Sequence, residues 1–331
     1  MSNTTKTIAI VGVTGNQGSS VASVFLQQPG WTVRGITRGP SKTSSKAWSD
    51  KGVEVVAGDL NDVASMTAAL KGVTVVFGNT DFWGHFMDPA THARAAQEGR
   101  SANEVAYDLE VEQGKKMVDA VATTIDTLDR FVLSTLSNTK GWSKGKLTFN
   151  LHFDAKWQAV EYLKATYPAL WKKTSLLQLG FFGSNWKIPN AHAPQKQEDG
   201  TYKVSLAMSG DSKFPMVDVN VDTGYLTKAL VEVAPGKNLM GAGSVLNWKE
   251  WCAIWAKQNG VTCTYERKER KVLEDSMGPL GREFADMFQY VDEFGYDGGD
   301  PSVIYPWDLE VDVKVTTVEE YIKGQDWSSI L

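Results

Sequence analysis

The sequence has little that would suit a disulfide-rich scaffold, a metal protein or a nucleic-acid binder. Only two cysteines occur among its 331 residues, Cys252 and Cys263, and they have neither metal-ligand spacing nor the pattern of a disulfide framework. We therefore expect both thiols to be reduced and inert, and we expect no metal site. The net charge is -5 and no lysine- or arginine-rich block is present, which argues against direct binding to nucleic acid.

Long apolar runs are absent as well. None approaches the roughly 18 residues of a membrane-spanning helix, and the polar start MSNTTKT lacks the charged and apolar regions of a signal peptide. We expect a cytoplasmic protein without membrane contact. Because 42% of the residues are hydrophobic, the chain can bury a full core in one large domain or two unequal ones. The sequence leaves the oligomeric state open, a homodimer included.

The first half of the chain alternates between strand and helix patterns. Residues 7–13, TIAIVGV, form an apolar, β-rich run without one-sided alternation, as in a strand buried on both faces of a parallel sheet. Further strands are predicted for WTVRGIT, VEVVAG, VTVVFGN and RFVLST, with helical or polar connecting segments between them. Five such repeats predict an α/β fold with a doubly wound parallel sheet.

The second half is less regular. SLLQLGFFG predicts a sixth strand, and the capping-box pattern T-V-E-E from Thr317 predicts the start of the last helix. Another predicted helix carries an aromatic stripe that is typical of a core, formed by Trp248, Trp251, Cys252 and Trp255. We predict a sheet domain over residues 1–150 and a smaller, interleaved α+β substrate domain over residues 151–331, in which residues 151–185 still complete the sheet domain.

A glycine-rich segment, GVTGNQG from Gly12 to Gly18, follows the first strand and opens the first helix. Its spacing is GxxGxxG, not GxGxxG. Between a strand and a helix, glycines allow a sharp turn and let a pyrophosphate approach the backbone and the unpaired N–H groups of the helix. The setting predicts a dinucleotide site, with a purely structural turn as the alternative.

The residues after the second strand favour NADP(H) over NAD(H). An NAD site usually has an acid there for the ribose 2′-hydroxyl, whereas the sequence ITRGPSK offers Arg38 and Lys42. Two cations suit a 2′-phosphate. The alternative is that Arg38 is an ordinary solvated cation. After the third strand, Asp59 is placed to contact the adenine and Leu60 to cover it, although Asp59 is equally placed to cap a turn.

Several segments together resemble the NmrA-like family of atypical short-chain dehydrogenases/reductases, particularly its fungal members. The segments occur in the family's order and approximate spacing: GVTGNQG, TRGPSK, VVAGDL, VVFGNTDFW, HFDAKWQAVEYL and VTTVEEYIKGQDW. The resemblance spans nearly the whole chain. It implies a Rossmann-type NADP(H) domain and a small C-terminal domain over the nicotinamide. It also implies one of two functions: reduction of small molecules, often in fungal secondary metabolism, or redox sensing through protein partners.

The resemblance also implies roles for particular residues. It assigns the phosphate loop to Gly12, Thr14, Gly15, Asn16, Gln17 and Gly18, the 2′-phosphate loop to Arg38 and Lys42, and the segment under the cofactor to Asn79, Thr80 and Phe82. Lys156 matches a helical lysine that, in the wider superfamily, binds the nicotinamide ribose and activates a tyrosine four residues earlier. His152 stands at that tyrosine's position, which puts tyrosinate catalysis in doubt.

The chemistry of hydride transfer suggests which residues act in catalysis. A reducible group must be held over the nicotinamide, and the atom that becomes negative needs a proton donor. Lys156 offers a positive charge, and His152 is a candidate donor because histidines titrate near neutrality. The alternative for His152 is a structural, hydrogen-bonded histidine. Ser134, at the end of the fifth strand, is a candidate for orienting the substrate.

Aromatic residues follow two predicted strand ends that face the nicotinamide. We expect a pocket for a flat or hydrophobic substrate, lined by Trp83, Phe86, Phe181, Phe182 and Trp186, with packing between domains as the alternative. The leading hypothesis is an NADPH-dependent reductase acting on a carbonyl, imine or activated alkene of a small, partly aromatic metabolite. The alternative is an NADP(H)-sensing regulator without turnover that binds a protein partner. An isomerase or epimerase has only fold-level support.

Overall fold

A parallel sheet of eight strands lies at the centre of the computed structural model, which describes residues 6–188 and 192–331. The first half of the chain forms β1 (Lys6–Val11), α1 (Asn16–Phe25), β2 (Trp31–Thr37), α2 (Thr43–Ser49), β3 (Glu54–Ala57), α3 (Val63–Ala69), β4 (Val75–Gly78), α4 (Phe82–Phe86), α5 (Pro89–Glu98), α6 (Ala102–Ala122), β5 (Arg130–Thr135), α7 (Thr139–Trp142), α8 (Leu151–Thr166), α9 (Pro168–Trp171) and β6 (Thr174–Leu179).

The second half contributes shorter strands and longer connections. Its elements are β7 (Phe181–Phe182), β8 (Gln195–Lys196), β9 (Tyr202–Leu206), β10 (Phe214–Val217), α10 (Asp222–Glu232), β11 (Asn238–Gly241), β12 (Ser244–Leu246), α11 (Trp248–Asn259), β13 (Cys263–Arg267), α12 (Arg270–Met277), α13 (Pro279–Phe294), β14 (Val303–Ile304) and α14 (Val318–Lys323). Two short 3-10 helices span Gly183–Lys187 and Pro306–Asp308.

The strand order of the large sheet confirms the predicted doubly wound fold. The order is β14-β11-β6-β5-β4-β1-β2-β3, and every neighbouring pair is parallel. From β1 the chain winds outward to β3, and from β4 it winds outward in the other direction. The winding direction therefore reverses between β1 and β4, which is where open sheets of this type form a crevice for ligands.

Both faces of the sheet are covered, as the apolar sequence of β1 predicts. Ile8 and Ile10 pack on one face in a core shared with α1 and α10. Ala9 and Val11 point to the other face and join a core formed by α3, α6 and α8. A strand with neighbours on both faces has no solvent side, so its sequence shows no polar alternation.

The second half of the chain builds a separate core and also completes the large sheet. Two three-stranded sheets, β12-β10-β7 and β13-β9-β8, pack with α11, whose Trp248, Trp251 and Trp255 are buried as the stripe predicts. β11 and β14 return to the edge of the large sheet next to β6. The segments of the two regions are therefore interleaved along the chain.

The predicted sixth strand is divided at Gly180. β6 belongs to the large sheet, whereas Phe181 and Phe182 pair with β10. A Cβ on Gly180 would lie 2.7 Å from the carbonyl oxygen of Pro215, so only glycine lets β10 approach the chain at this bend.

Both cysteines are free thiols. Within the described part of the chain, no helix is long and apolar enough to cross a membrane.

Candidate cofactor and active site

The glycine loop between β1 and α1 is packed tightly against the helix that follows it. Gly12 has a positive φ of +68°, a conformation that favours glycine. A Cβ on Gly18 would lie 2.3 Å from the carbonyl oxygen of Gly12. Gly15 is the N-cap of α1 and offers no side-chain cap, so the N–H groups of the first turn are available to an anion. Thr14 and Asn16 are exposed at the tip of the loop.

Two amide oxygens beside this loop are suited to a ligand with hydroxyl groups. Oδ1 of Asn79 and Oε1 of Gln17 are buried and have no hydrogen-bond partner among residues 6–188 and 192–331. Asn79 follows β4 at the reversal point of the sheet, and its Oδ1 lies 3.4 Å from where a Cβ of Gly12 would stand. Buried acceptors normally have donors, and ribose hydroxyl groups are donors. The loop and its neighbours therefore fit a dinucleotide.

The loop after β2 presents two cations to solvent. Arg38 and Lys42 are exposed, and neither forms an ion pair with any residue that the structure describes. The loop itself is held in place because Ser45 Oγ donates a hydrogen bond of 2.8 Å to the carbonyl oxygen of Gly39. Two unpaired cations on a fixed loop fit a phosphate group.

Asp59 caps a turn, which is one of the two roles that the sequence leaves open to it. Its Oδ1 accepts hydrogen bonds from the backbone N–H of Asn61 at 2.9 Å and from Nδ2 of the same residue at 3.1 Å. Leu60 is half-buried and packs against the core under α3 and α6.

Lys156 lies on α8 within a buried network of polar groups. Its Nζ donates to the carbonyl oxygen of Thr80 at 2.8 Å and to Oε1 of Glu110 at 2.6 Å. Oγ1 of Thr80 donates to the same Glu110 oxygen at 2.6 Å. Glu110 lies on α6 and is completely buried, and its Oε2 has no partner among the described residues. The network joins the end of β4, where the predicted cofactor segment Asn79–Phe82 begins, to α8.

His152 lies one turn before Lys156 on α8 and is also held by a carboxylate. Its Nδ1 is 2.6 Å from Oε1 of Glu283, and its backbone N–H donates to the same oxygen at 2.9 Å. Glu283 lies on α13 and is completely buried. The imidazole centroid is 5.1 Å from that of Trp83 and 5.9 Å from that of Phe82. His152 therefore combines a structural hydrogen bond with a position against the aromatic side chains of α4.

The five predicted pocket aromatics do not lie together. Trp83 packs against Phe86 and stacks on Phe284 of α13, with ring centroids 5.6 Å apart in the stacked pair. Phe181 and Phe182 form β7, and Phe181 packs against Phe214 and Trp248. Trp186 is buried and stacks on Trp327 at 4.1 Å. Trp186 thus occupies the C-terminal core, and Phe284 of α13 stacks on Trp83 instead.

Ser134 lies inside β5 and is 5% exposed. The hydroxyl group just beyond the strand belongs to Ser137, whose Oγ is 2.6 Å from Oη of Tyr290. Burial raises the pKa of Tyr290 above its usual value. The predicted orienting serine is therefore enclosed by the sheet, whereas Ser137 and Tyr290 pair their hydroxyl groups at the strand end.

Asp154, between His152 and Lys156 on α8, is a buried carboxyl group whose burial raises its pKa to about 7. Its Oδ1 accepts a hydrogen bond of 3.0 Å from the backbone N–H of Lys140. Because the folded-state pKa lies above the ordinary value of 3.8, the neutral form stabilises the fold at low pH, and this contribution is lost as the pH rises through about 7.

Asp154→Asn is therefore expected to remove a pH dependence of stability. Between about pH 4 and pH 8, the free energy of unfolding of the wild type should fall relative to that of the variant by about 2 to 4 kcal/mol. Urea unfolding at several pH values measures this difference. Asp126→Asn, at an exposed carboxylate that accepts no hydrogen bond from the described residues, is the control and should follow the wild type. If the free energy of unfolding changed with pH in the same way in Asp154→Asn and the wild type, the raised pKa of Asp154 would be contradicted.

The parallel sheet, its reversal point and the glycine loop define a Rossmann-type α/β protein. The chain belongs to the NmrA-like family, whose family model matches residues 4–322. A curated relative, the NmrA-like family domain-containing oxidoreductase FrzB of Cladobotryum sp, is 26% identical over 277 residues, which cover 78% of this chain and 75% of the relative.

Solved structures share the fold at low sequence identity. The crystal structure of NmrA, a negative transcriptional regulator, in complex with NAD is 17% identical, with a TM-score of 0.69, and the match covers 97% of this chain and 95% of that one. The binary complex of leucoanthocyanidin reductase with NADPH from Vitis vinifera is also 17% identical, with a TM-score of 0.66 and coverage of 96% and 98%. At this identity the likeness shows the fold alone.

Proposed function

We propose that this protein is a cytoplasmic, NADP(H)-dependent reductase that transfers hydride to a carbonyl, imine or activated alkene of a small, partly aromatic metabolite. The observation that carries the proposal is the arrangement on α8, where His152 and Lys156 lie one turn apart and each is held by a completely buried carboxylate. Maintaining two such pairs in the interior costs desolvation energy, which favours a functional role. The relative FrzB is itself named an oxidoreductase, and we assign a place in fungal secondary metabolism as part of the proposal.

The bound dinucleotide would supply the hydride, and the residues of this chain would position it. The N-terminus of α1 would hold the pyrophosphate, and Asn79 and Gln17 would accept hydrogen bonds from hydroxyl groups. Lys156 would keep positive charge next to the segment Asn79–Phe82, which it holds through the carbonyl oxygen of Thr80. His152 would give a proton to the substrate atom that becomes negative, beside the ring of Trp83.

Arg38→Ala is expected to weaken NADPH binding selectively. Loss of a charged hydrogen-bonding partner for the 2′-phosphate should raise the Kd of NADPH by about 10- to 100-fold, while the Kd of NADH changes by less than about threefold. Isothermal titration calorimetry with both dinucleotides gives these constants. Lys271→Ala removes one charge at an exposed position of α12 and is the control. Equal losses for NADH and NADPH would contradict the choice of NADP(H).

The function itself is tested in two steps on one sample. Calorimetry with NADPH, NADP+, NADH and NAD+ establishes the cofactor, and the loss of NADPH absorbance is then followed with phenanthrenequinone, dihydroisoquinoline and cyclohexenone, and with pooled metabolites of the source cell. Oxidation of NADPH that requires one of these acceptors is the expected result. Tight binding without any oxidation would overturn the reductase assignment.

A redox-sensing regulator is the second candidate. The observation that favours it is that the Lys156 ammonium group already donates hydrogen bonds to Thr80 and Glu110. In addition, the residue one turn before Lys156 is His152 and not the tyrosine that a reductase would use. NmrA, which shares the fold, is a negative transcriptional regulator. A sensor should bind the oxidised and reduced dinucleotides with different affinities and oxidise no NADPH. The titrations above therefore separate the two candidates.

A further inference from the structure

We propose that Glu283 is a positioning residue that fixes the imidazole of His152 for proton donation, an inference that rests on the proposed reductase function. Glu283 is 131 residues from His152 in sequence and reaches it from α13. The C-terminal half of the chain would thus set the orientation of a catalytic group that lies on a helix of the large sheet domain.

The hydrogen bonds of Glu283 define which ring nitrogen carries a proton. Oε1 accepts the backbone N–H of His152 at 2.9 Å and lies 2.6 Å from Nδ1 of the same residue. Oε2 accepts from Nδ2 of Asn103 at 3.1 Å. Because Oε1 already accepts the backbone N–H, it acts as the acceptor for the ring as well, and Nδ1 is the donor that carries the proton. The carboxylate thereby selects one tautomer of the neutral ring.

The other ring nitrogen, Nε2, is left for the substrate. Nε2 forms no hydrogen bond with the residues that the structure describes. The atom is not fully buried, so it remains accessible to a substrate. The ring packs between Trp83 and Phe153, with centroid distances of 5.1 Å and 4.9 Å, which limits its rotation. Glu283 and these aromatic rings together hold Nε2 in one direction.

With this arrangement, every atom and electron is accounted for in the reduction of a carbonyl group. The substrate carbon gains hydride from NADPH, and its oxygen takes the electron pair of the broken π bond. The Nε2–H bond of the protonated imidazole breaks, and the proton passes to that oxygen. His152 is left neutral, with its remaining proton on Nδ1, in the tautomer that Glu283 stabilises.

The same helix supplies a matched control. Asp286 lies one turn after Glu283 on α13 and accepts hydrogen bonds from the backbone N–H groups of Thr148 at 3.1 Å and Phe149 at 2.7 Å. Glu283 therefore joins α13 to the first turn of α8, and Asp286 joins it to the segment just before α8. Asp286 also pairs with Arg270 at 2.6 Å, so its substitution tests a purely structural role, whereas only Glu283 of the two contacts the imidazole.

The tautomer of His152 can be measured without turnover. The chain has only four histidines, so selective nitrogen-isotope labelling of histidine gives few NMR signals, and His152→Asn identifies the relevant pair. We expect a protonated Nδ1 in the neutral wild-type ring. Glu283→Gln should preserve this tautomer, since an amide oxygen in place of Oε1 still accepts both N–H groups. Glu283→Ala should shift the ring toward the Nε2–H form, and Asp286→Asn should not. A wild-type ring protonated at Nε2, or no change in Glu283→Ala, would overturn the proposal.

The kinetic consequence is measured with NADPH and phenanthrenequinone. Glu283→Ala should lower kcat by about 100-fold without raising the KM for NADPH. Glu283→Gln should retain the fold and most of the wild-type kcat, because its amide oxygen can still orient the ring. Asp286→Asn should keep the wild-type kcat and KM for NADPH.

The two possible failures are distinguishable. A wild type that binds NADPH and oxidises none with any acceptor would overturn the proposed function. Turnover in the wild type with an unchanged kcat in Glu283→Ala would overturn the role of Glu283 alone.

Discussion

Lys156→Met is expected to lower the free energy of unfolding by about 3 to 5 kcal/mol and to abolish NADPH-dependent turnover. The side chain of Glu110 is 0% exposed, and Lys156 is its cationic partner at 2.6 Å. Without the ammonium group, the carboxylate remains buried without a compensating charge, and its Oε2 already lacks a partner among the described residues. Urea unfolding and NADPH oxidation with phenanthrenequinone measure the two losses.

A second substitution separates folding from function at this site. Glu110→Gln combined with Lys156→Met removes both charges and leaves an oxygen that accepts the Thr80 hydrogen bond. The double variant should regain most of the lost stability, because a buried pair replaced as a whole costs much less than one that is broken. It should remain inactive, since the positive charge beside the cofactor segment is missing. Recovered activity would contradict the role proposed for Lys156.

Gly18→Ala is expected to reduce dinucleotide affinity by at least about 100-fold and to destabilise the fold by about 3 kcal/mol. The new Cβ would lie 2.3 Å from the carbonyl oxygen of Gly12 and 2.9 Å from the Cα of Val13. Both are backbone atoms next to β1, so the loop and the first turn of α1 must move apart. Calorimetric titration with NADPH and thermal unfolding measure the two effects.

Gly15→Ala is the matched control in the same loop. Gly15 has a φ of -88°, which any residue adopts, and its added Cβ would lie 3.4 Å from the nearest atom, an ordinary contact. We expect Gly15→Ala to fold with wild-type stability while losing affinity for NADPH, because the pyrophosphate is proposed to approach this position closely. If Gly15→Ala and Gly18→Ala lost stability equally, the close packing of α1 against the loop would not explain the destabilisation of Gly18→Ala.

Local patterns predict much of this fold because they act over a few residues. The strands β2 and β5 span the segments WTVRGIT and RFVLST that the sequence indicates. The last helix begins at the predicted capping box, in which the backbone N–H of Thr317 and that of Glu320 each bond to the other residue's side chain. Such elements depend on neighbours that are adjacent in sequence, so one sequence is enough to indicate them.

The partners of the site residues could not be predicted in this way. Glu110 is 46 residues from Lys156 and Glu283 is 131 residues from His152. The only signal in the sequence is an acid on the inner face of a helix, where apolar residues are expected: Glu110 lies between the buried Ala106 and Gly114 of α6. Periodicity reveals that such an acid is unusual, but it does not reveal which cation or ring it meets. The position of Trp186 could not be predicted for the same reason, because its stacking on Trp327 joins two segments that are distant in sequence.

The winding of the large sheet has a consequence for synthesis on the ribosome. β6 leaves the ribosome well before β11, which will pair with it, and β14 emerges still later. During that interval, β6 is the edge of a growing sheet, and its sequence TSLLQL is buried at every position in the finished protein. An uncovered strand edge can pair with another nascent chain. We therefore expect the return of the C-terminal half to the sheet to protect newly made molecules from aggregation as well as to complete the fold.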